Sequence, residues 1–199
     1  MNRESYNTIA SQWAEFRDKS FVSQLIMDFS EKLKPGAKVL DIGCGTGKPV
    51  ALFLAEKGHH VTGIDLSEKM IELAQNNDIL NAKFHYSDFF DFETSETFDG
   101  ILAWDSFFHF PKSKQEMIYP KIARLLNPGG YLLFTHGDVD DEHTSPMLGQ
   151  EFYYSAIPKE KIADLLSENG LEIEYMIKDF IEKETDRGLV VLAKKMKIE

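Results

Sequence analysis

Short apolar runs alternate with stretches of helical spacing along most of this chain, and few folds accept that alternation. Residues 38–42 (KVLDI), 60–64 (HVTGI), 82–86, 100–104 (GILAW) and 131–135 (YLLFT) read as strands. Between them, residues 49–57 and 67–76 show helical spacing, with Ser67 placed to cap its helix and Pro49 suited to a first turn. A strand that returns through a helix lies parallel to the one before it, so the pattern predicts an α/β domain on a mostly parallel sheet. Ser113 and Glu116 have the spacing of a capping box, and Pro120 is expected to kink or split the helix that follows before Leu126.

The pattern then changes. Residues 137–154 carry no clear period and read as a long loop, a candidate lid over substrate. Residues 158–169 read as a helix ended by Gly170, and residues 171–180 and 188–193 as two strands whose short connection makes them antiparallel neighbours. Ahead of the sheet, residues 5–33 place Ile9, Trp13 and Phe16, then Phe21, Leu25, Ile26 and Phe29, at the spacing of two helices. Residues 1–199 therefore read as one domain, with residues 1–33 a helical cap and 137–154 a loop insertion.

Composition narrows the partners. Against 33 acidic residues stand 22 Lys and Arg, a net charge of −11, which opposes broad binding to a phosphate backbone. Hydrophobic content of 43% with 28% charge is that of a folding chain, and no apolar run approaches the ~18 residues that span a bilayer. Cys44 is the single cysteine and the first residues (MNRESYNT) are polar, so a reducing cytoplasm is the expected compartment.

The strongest local signal is VLDIGCGTG at residues 39–47, a strand running into Gly43, Gly45 and Gly47 and then a helix. Glycines there let a backbone approach a ligand closely. A phosphate-binding P-loop would need glycine at 42 and Ser or Thr at 49, where Ile42 and Pro49 stand. A dinucleotide fingerprint would need glycine at 48, where the chain has Lys48. Asp41, at the strand end, would repel a pyrophosphate but suits a ligand bearing an ammonium or sulfonium charge. Asp65 ends the next strand (GIDLS, with Leu66 beside it), at the distance from the glycines where an acid accepts from ribose hydroxyls. Asp88, just past the third strand, could accept an adenine amino proton while Phe89 covers the ring.

At these residues the chain resembles the class I S-adenosylmethionine-dependent methyltransferases, in their small-molecule branch. VLDIGCGTG is similar to that family's first motif, GIDLS to its ribose motif, SDF to its adenine motif, and FDGILAWDSFFHF and LLNPGGYLLF to its fourth and fifth strand segments. The resemblance implies a doubly wound, Rossmann-like sheet of seven strands with the last antiparallel, and S-adenosyl-L-methionine as cofactor. It implies that Gly43, Cys44, Gly45 and Gly47 pass beneath the methionine part, with Asp41 near its amino group. Asp65 and Leu66 would lie at the ribose, Asp88 and Phe89 at the adenine, and the backbone of Ala103 and Trp104 at the amino-acid end. Tyr6, Trp13 and Arg17 would belong to a cap over the cofactor.

A methyl acceptor that is an alcohol or phenol also needs a base. His109, past the fourth strand, and His136, ending the fifth, are the titratable candidates, and both could instead be structural. Among Trp104, Phe107, Phe108 and Phe110, at least one is expected to line the substrate pocket. The run His136, Asp138, Asp140, Asp141, Glu142, His143 matches no metal-ligand spacing and reads as a solvated acidic loop, so no metal is expected. The expected function is methyl transfer to a small-molecule acceptor. A nucleic-acid or protein methyltransferase, and a non-catalytic cofactor-binding module, are the alternatives.

Overall fold

A computed structural model describes residues 1–183 and 185–197. Seven strands form one sheet in the order β3-β2-β1-β4-β5-β9-β8. They are β1 (Lys38–Ile42), β2 (His60–Asp65), β3 (Ala82–Tyr86), β4 (Phe98–Ala103), β5 (Leu126–His136), β8 (Leu171–Glu182) and β9 (Thr185–Lys195). All run parallel except β9, which lies antiparallel between β5 and β8. The helices are α1 (Asn2–Arg17), α2 (Gln24–Lys32), α3 (Val50–Glu56), α4 (Glu68–Asn76), α5 (Ile118–Leu125) and α6 (Lys159–Glu168).

Side chains alternate across a strand, and here they feed two cores. Leu40, Ile42, Ile101, Ala103, Leu132 and Phe134 face one way, toward Ile118 and Ile122 of α5 and Ile162 and Leu166 of α6. Val39, Leu102, Leu133 and Val190 face the other, toward Ile26 and Phe29 of α2, Leu54 of α3 and Ile71 of α4. Strands buried on both faces explain why the sequence reads as continuous apolar runs rather than alternating ones. Among the described residues no helix is long and apolar enough to cross a membrane.

The structure departs from expectation in three places. Residues 137–154 are not an irregular loop: most of them form a hairpin of β6 (Asp141–Met147) and β7 (Gln150–Ala156), turning at Leu148 and Gly149, both at positive φ. Its sequence hides the strands because polar residues occupy β6, a solvent-facing strand of a separate two-stranded sheet. The segment after β4 has no capping box at Ser113. It winds as a 3₁₀ turn over Lys112–Met117 and becomes α5 at Ile118, so Pro120 sits in the first turn of α5, where its missing N–H has no helical acceptor. Finally, only α1 behaves as a cap, because α2 packs against the sheet as a core helix. The Ser67 cap is present: its Oγ accepts from the Met70 N–H at 3.2 Å.

Gly100 shows how tightly α2 is seated, since a Cβ there would lie 2.7 Å from Cζ of Phe29. Gly100→Ala is expected to destabilise the fold by about 1–3 kcal/mol through overpacking. Adding Phe29→Leu should recover part of that loss in urea melts, and equal, independent losses would show that the contact is not the cause.

Candidate active-site cleft

The order of the sheet reverses at β1, whose neighbours β2 and β4 carry the chain away on opposite sides. Their carboxyl ends open a crevice where open α/β sheets bind ligands. A cleft of about 1100 Å³, counted out to its open mouth, occupies that position. Its floor is the glycine loop. The N–H groups of Gly43 and Cys44 both donate to the Ile64 carbonyl, at 2.8 and 3.0 Å, pinning the loop to β2. Gly43 has φ +77°, and a Cβ there would come within 2.5 Å of Ser106 Cβ, so both backbone conformation and space require glycine.

Two carboxylates line this floor. Asp65 accepts from the Gly45 N–H at 2.9 Å and the Ser67 N–H at 2.8 Å, one on each oxygen. Burial raises its pKa while those amides hold it down. Asp41 is 3% exposed and accepts no side-chain or loop hydrogen bond among the described residues. Burial first, and the charge of Asp65 second, push its carboxyl up to about 7, against the pull of Arg17. A buried carboxylate with no protein donor is costly unless something else supplies a positive charge. Farther along, Asp88 accepts from the Phe90 N–H at 2.7 Å, and the Phe89 ring stacks on Phe110 at 5.6 Å.

The roof is α1. Asn2, Tyr6, Trp13 and Arg17 recur at helical spacing and so share one face, which lines the cleft. The helix is tied down at both ends: Asn2 exchanges hydrogen bonds with the Tyr153 backbone at 2.7 and 2.8 Å, and Thr46 of the glycine loop donates to Asp18 at 2.6 Å. The hairpin thereby anchors the cap and does not itself line the cleft.

Most of the sequence candidates meet here. Tyr6, Trp13, Arg17, Asp41, Gly43, Cys44, Gly45, Asp65, Leu66, Asp88, Phe89, Trp104 and His109 all line the cleft. Gly47, Ala103 and His136 do not. Gly47 packs under Phe84 and Ala103 is fully buried in the sheet. His136 is buried behind the cleft, with Nδ1 2.8 Å from the Gly137 carbonyl and Nε2 2.9 Å from Gln115 Oε1. Burial pushes the imidazole down to about 4, against the pull of the Gly137 carbonyl. Of the four aromatics, Trp104 and Phe110 line the cleft, Phe107 is core, and Phe108 stacks on Tyr154 of the hairpin. The thiol of Cys44 is held protonated by burial.

His109 lies at the cleft with both nitrogens engaged. Its Nδ1 lies 2.9 Å from the Tyr153 carbonyl and 3.1 Å from the Asn2 amide nitrogen, and its Nε2 shares a hydrogen bond with the Tyr6 hydroxyl at 2.9 Å. Burial pushes its pKa down to about 4, leaving a neutral imidazole at physiological pH. Sequence reasoning passed over Asn2 and gave no role to Asp105, which follows Trp104 and also lines the cleft. Asp105 was visible in WDSFF, whereas nothing in the sequence marks Asn2. In the acidic stretch, Asp138, Asp140 and Asp141 pair with Lys178, Lys112 and His143, and the described residues hold no cluster of three potential metal ligands.

Comparison with known proteins agrees with this fold. Residues 13–175 match a family model described as a methyltransferase domain. The sterol methyltransferase-like 2 protein of Botryococcus braunii is 32% identical over 126 residues, covering 60% of this chain and 32% of that protein. Across eight such curated relatives, the chain spans between 27% and 59% of their length. Among solved structures, a SAM-dependent methyltransferase of Methanosarcina mazei superposes with a TM-score of 0.72 at 23% identity, covering 89% of this chain and 99% of that one. The magnesium protoporphyrin IX methyltransferase of Synechocystis PCC 6803, with bound S-adenosylhomocysteine, gives 0.75 at 20% identity, covering 98% of each chain. These likenesses are of fold, but the family match extends over most of the residues that build the cleft, and the chain belongs to the methyltransferase-domain family.

Proposed function

We propose that this protein transfers the methyl group of S-adenosylmethionine to a small-molecule acceptor. The observation that carries the reading is Asp41, a buried carboxylate lining the cleft beside the glycine loop with no hydrogen-bond partner for its side chain among the described residues, suited to an ammonium group. The cofactor supplies an electrophilic methyl on a sulfonium. Around it, Asp65 accepts from ribose hydroxyls, Asp88 and Phe89 take the adenine, and Leu66 covers an apolar edge. The work left to the protein is to align the acceptor and exclude water, which Tyr6 and Trp13 do at the roof and Phe110 beside Phe89. Relatives named for sterol methyltransferases, and a fold neighbour named for magnesium protoporphyrin, support a small molecule as acceptor. The single cysteine, Cys44, can form no disulfide within this sequence, which suits a reducing compartment, and we assign the protein to the cytoplasm.

The test is calorimetry with S-adenosylhomocysteine, followed by methyl transfer to a panel of small acceptors. Tight NAD binding without binding of the sulfur nucleoside would overturn the cofactor, and binding without turnover of any acceptor would favour a sensor. Asp65→Ala is expected to weaken binding by about 1.5–3 kcal/mol, the range for hydrogen bonds to a charged group. An unchanged affinity would move the ribose contact elsewhere.

Asp41 gives a prediction with a definite sign. An ammonium binds the ionised carboxylate, so affinity should fall as pH drops below about 7, the value at which Asp41 takes its proton. Asp41→Asn should bind more weakly and lose that dependence. Because the folded value lies above the ordinary carboxylate value of 3.8, the ionised group opposes folding, and the penalty grows from pH ~4 to ~7. The Asn variant should therefore gain more thermal stability at pH 8 than at pH 5. A larger gain at pH 5 would contradict the assignment.

His109, with both nitrogens occupied, holds Tyr6 and the hairpin in place, and we assign it that role rather than proton abstraction. His109→Ala should raise KM for the best acceptor of the panel while the pH profile of kcat keeps its shape. A loss of about 10²–10⁴ in kcat that recovers at high pH would instead make it the general base.

A further inference from the structure

Asp105, two residues past the end of β4, is the meeting point of four elements. Its φ is +58°, and its N–H donates to Thr135 Oγ1 of β5 at 2.8 Å. Arg187 of β9 grips its carboxylate with two short bonds, Nε to Oδ1 at 2.7 Å and Nη2 to Oδ2 at 2.9 Å. Arg17, the last residue of α1, reaches only Oδ2, at 3.3 Å. Two guanidinium groups thus share one carboxylate, and they share it unequally. Arg187 engages both oxygens in the geometry that charge-assisted pairs prefer, while Arg17 holds one of them loosely.

Arg187 is 7% exposed, its guanidinium lies 4.6 Å from the centre of the Trp104 ring, and its Nη1 has no hydrogen-bond partner among the described residues. Fold stability alone gives little reason for that arrangement, since a buried ion pair is often no better than apolar side chains of similar volume. It does affect Arg17, which lines the cleft together with Asp41. Without Arg187, Asp105 would be an unpaired carboxylate within reach of Arg17, and the two would close into a bidentate pair.

We propose that Arg187 is a positioning residue: by neutralising Asp105 it leaves the Arg17 guanidinium free to bind the carboxylate of the cofactor's amino-acid end. The inference rests on the methyl-transfer reading of the same cleft. The cofactor's end is chosen over an acceptor because Arg17 and Asp41 line the same cleft. An amino acid presents its carboxylate next to the ammonium that Asp41 suits.

Calorimetric titrations of the wild type, Arg187→Met, Asp105→Asn and the double variant test this, with S-adenosylhomocysteine and with 5′-methylthioadenosine, which lacks the amino-acid end. Circular dichroism and thermal melts monitor folding. Asn tolerates the positive φ at 105. Arg187→Met is expected to weaken S-adenosylhomocysteine roughly 10–100-fold while leaving methylthioadenosine unchanged. The double variant, with no carboxylate to capture Arg17, should return to within about threefold of wild type, as expected for coupled neighbours. A double variant as weak as Arg187→Met, or an equal loss for both nucleosides, overturns the proposal by showing a general structural defect. Should Arg187→Met fail to fold, Asp105→Asn alone decides: affinity equal to or above wild type supports the release of Arg17, and a tenfold loss refutes it. A wild type that binds neither nucleoside refutes the methyl-transfer reading itself.

Discussion

The tight turn at the end of β1 governs the rest of the site. Gly43 must leave the strand at positive φ, keep its N–H on the Ile64 carbonyl and pass against Ser106 at a distance that admits no side chain. Ser106 in turn donates from its Oγ to the Ile42 carbonyl at 2.8 Å, joining the β4 exit to the β1 exit. These contacts bring the ends of three strands together, so Asp41, Asp65 and Trp104 face one crevice although they come from separate stretches of chain. The parallel sheet makes this possible, because all three strands end on the same side.

Charge within the crevice is arranged by burial as much as by pairing. Asp65 has amide donors on both oxygens, Asp105 has guanidinium groups, and Asp41 has neither. The three acids therefore differ in what they can do next. Asp65 is preorganised and still has lone pairs to offer, Asp105 is committed to Arg187, and Asp41 is held in a state that a cationic ligand would relieve. Such a site trades stability for readiness, a trade that enzymes commonly make at their binding centres. The chain's overall surplus of acid says little about this, since local pairing decides what each carboxylate offers.

The cap depends on His109 in a different way. Its neutral imidazole joins the Tyr6 hydroxyl of α1 to the Tyr153 carbonyl of β7, and Asn2 reinforces the same seam. The Tyr154 ring lies over His109 at 4.7 Å and over Phe108 at 5.9 Å, so the hairpin closes onto the segment after β4 through aromatic contact. A histidine that bridges three elements in this manner is fixed in orientation, and that fixity places Tyr6 at the cleft.

Local pattern alone was enough to read the strand and helix alternation, the glycine turn, the Ser67 cap and the acids at 41, 65 and 88, because each depends on residues close in sequence. The face of α1 was also legible, since Tyr6, Trp13 and Arg17 recur at helical period. The hairpin at 141–156 was not, because β6 has no apolar alternation and exists only by pairing with β7 and through the anchoring of β7 by α1. Nor was the division between His109 and His136. Both follow a strand, and only packing decides that one meets the Tyr6 hydroxyl at the cleft while the other is sealed behind it. Likewise the Asp105–Arg187 pair spans 82 residues. It exists because β9 inserts antiparallel beside β5, a choice made by long-range sheet pairing rather than by any local spacing.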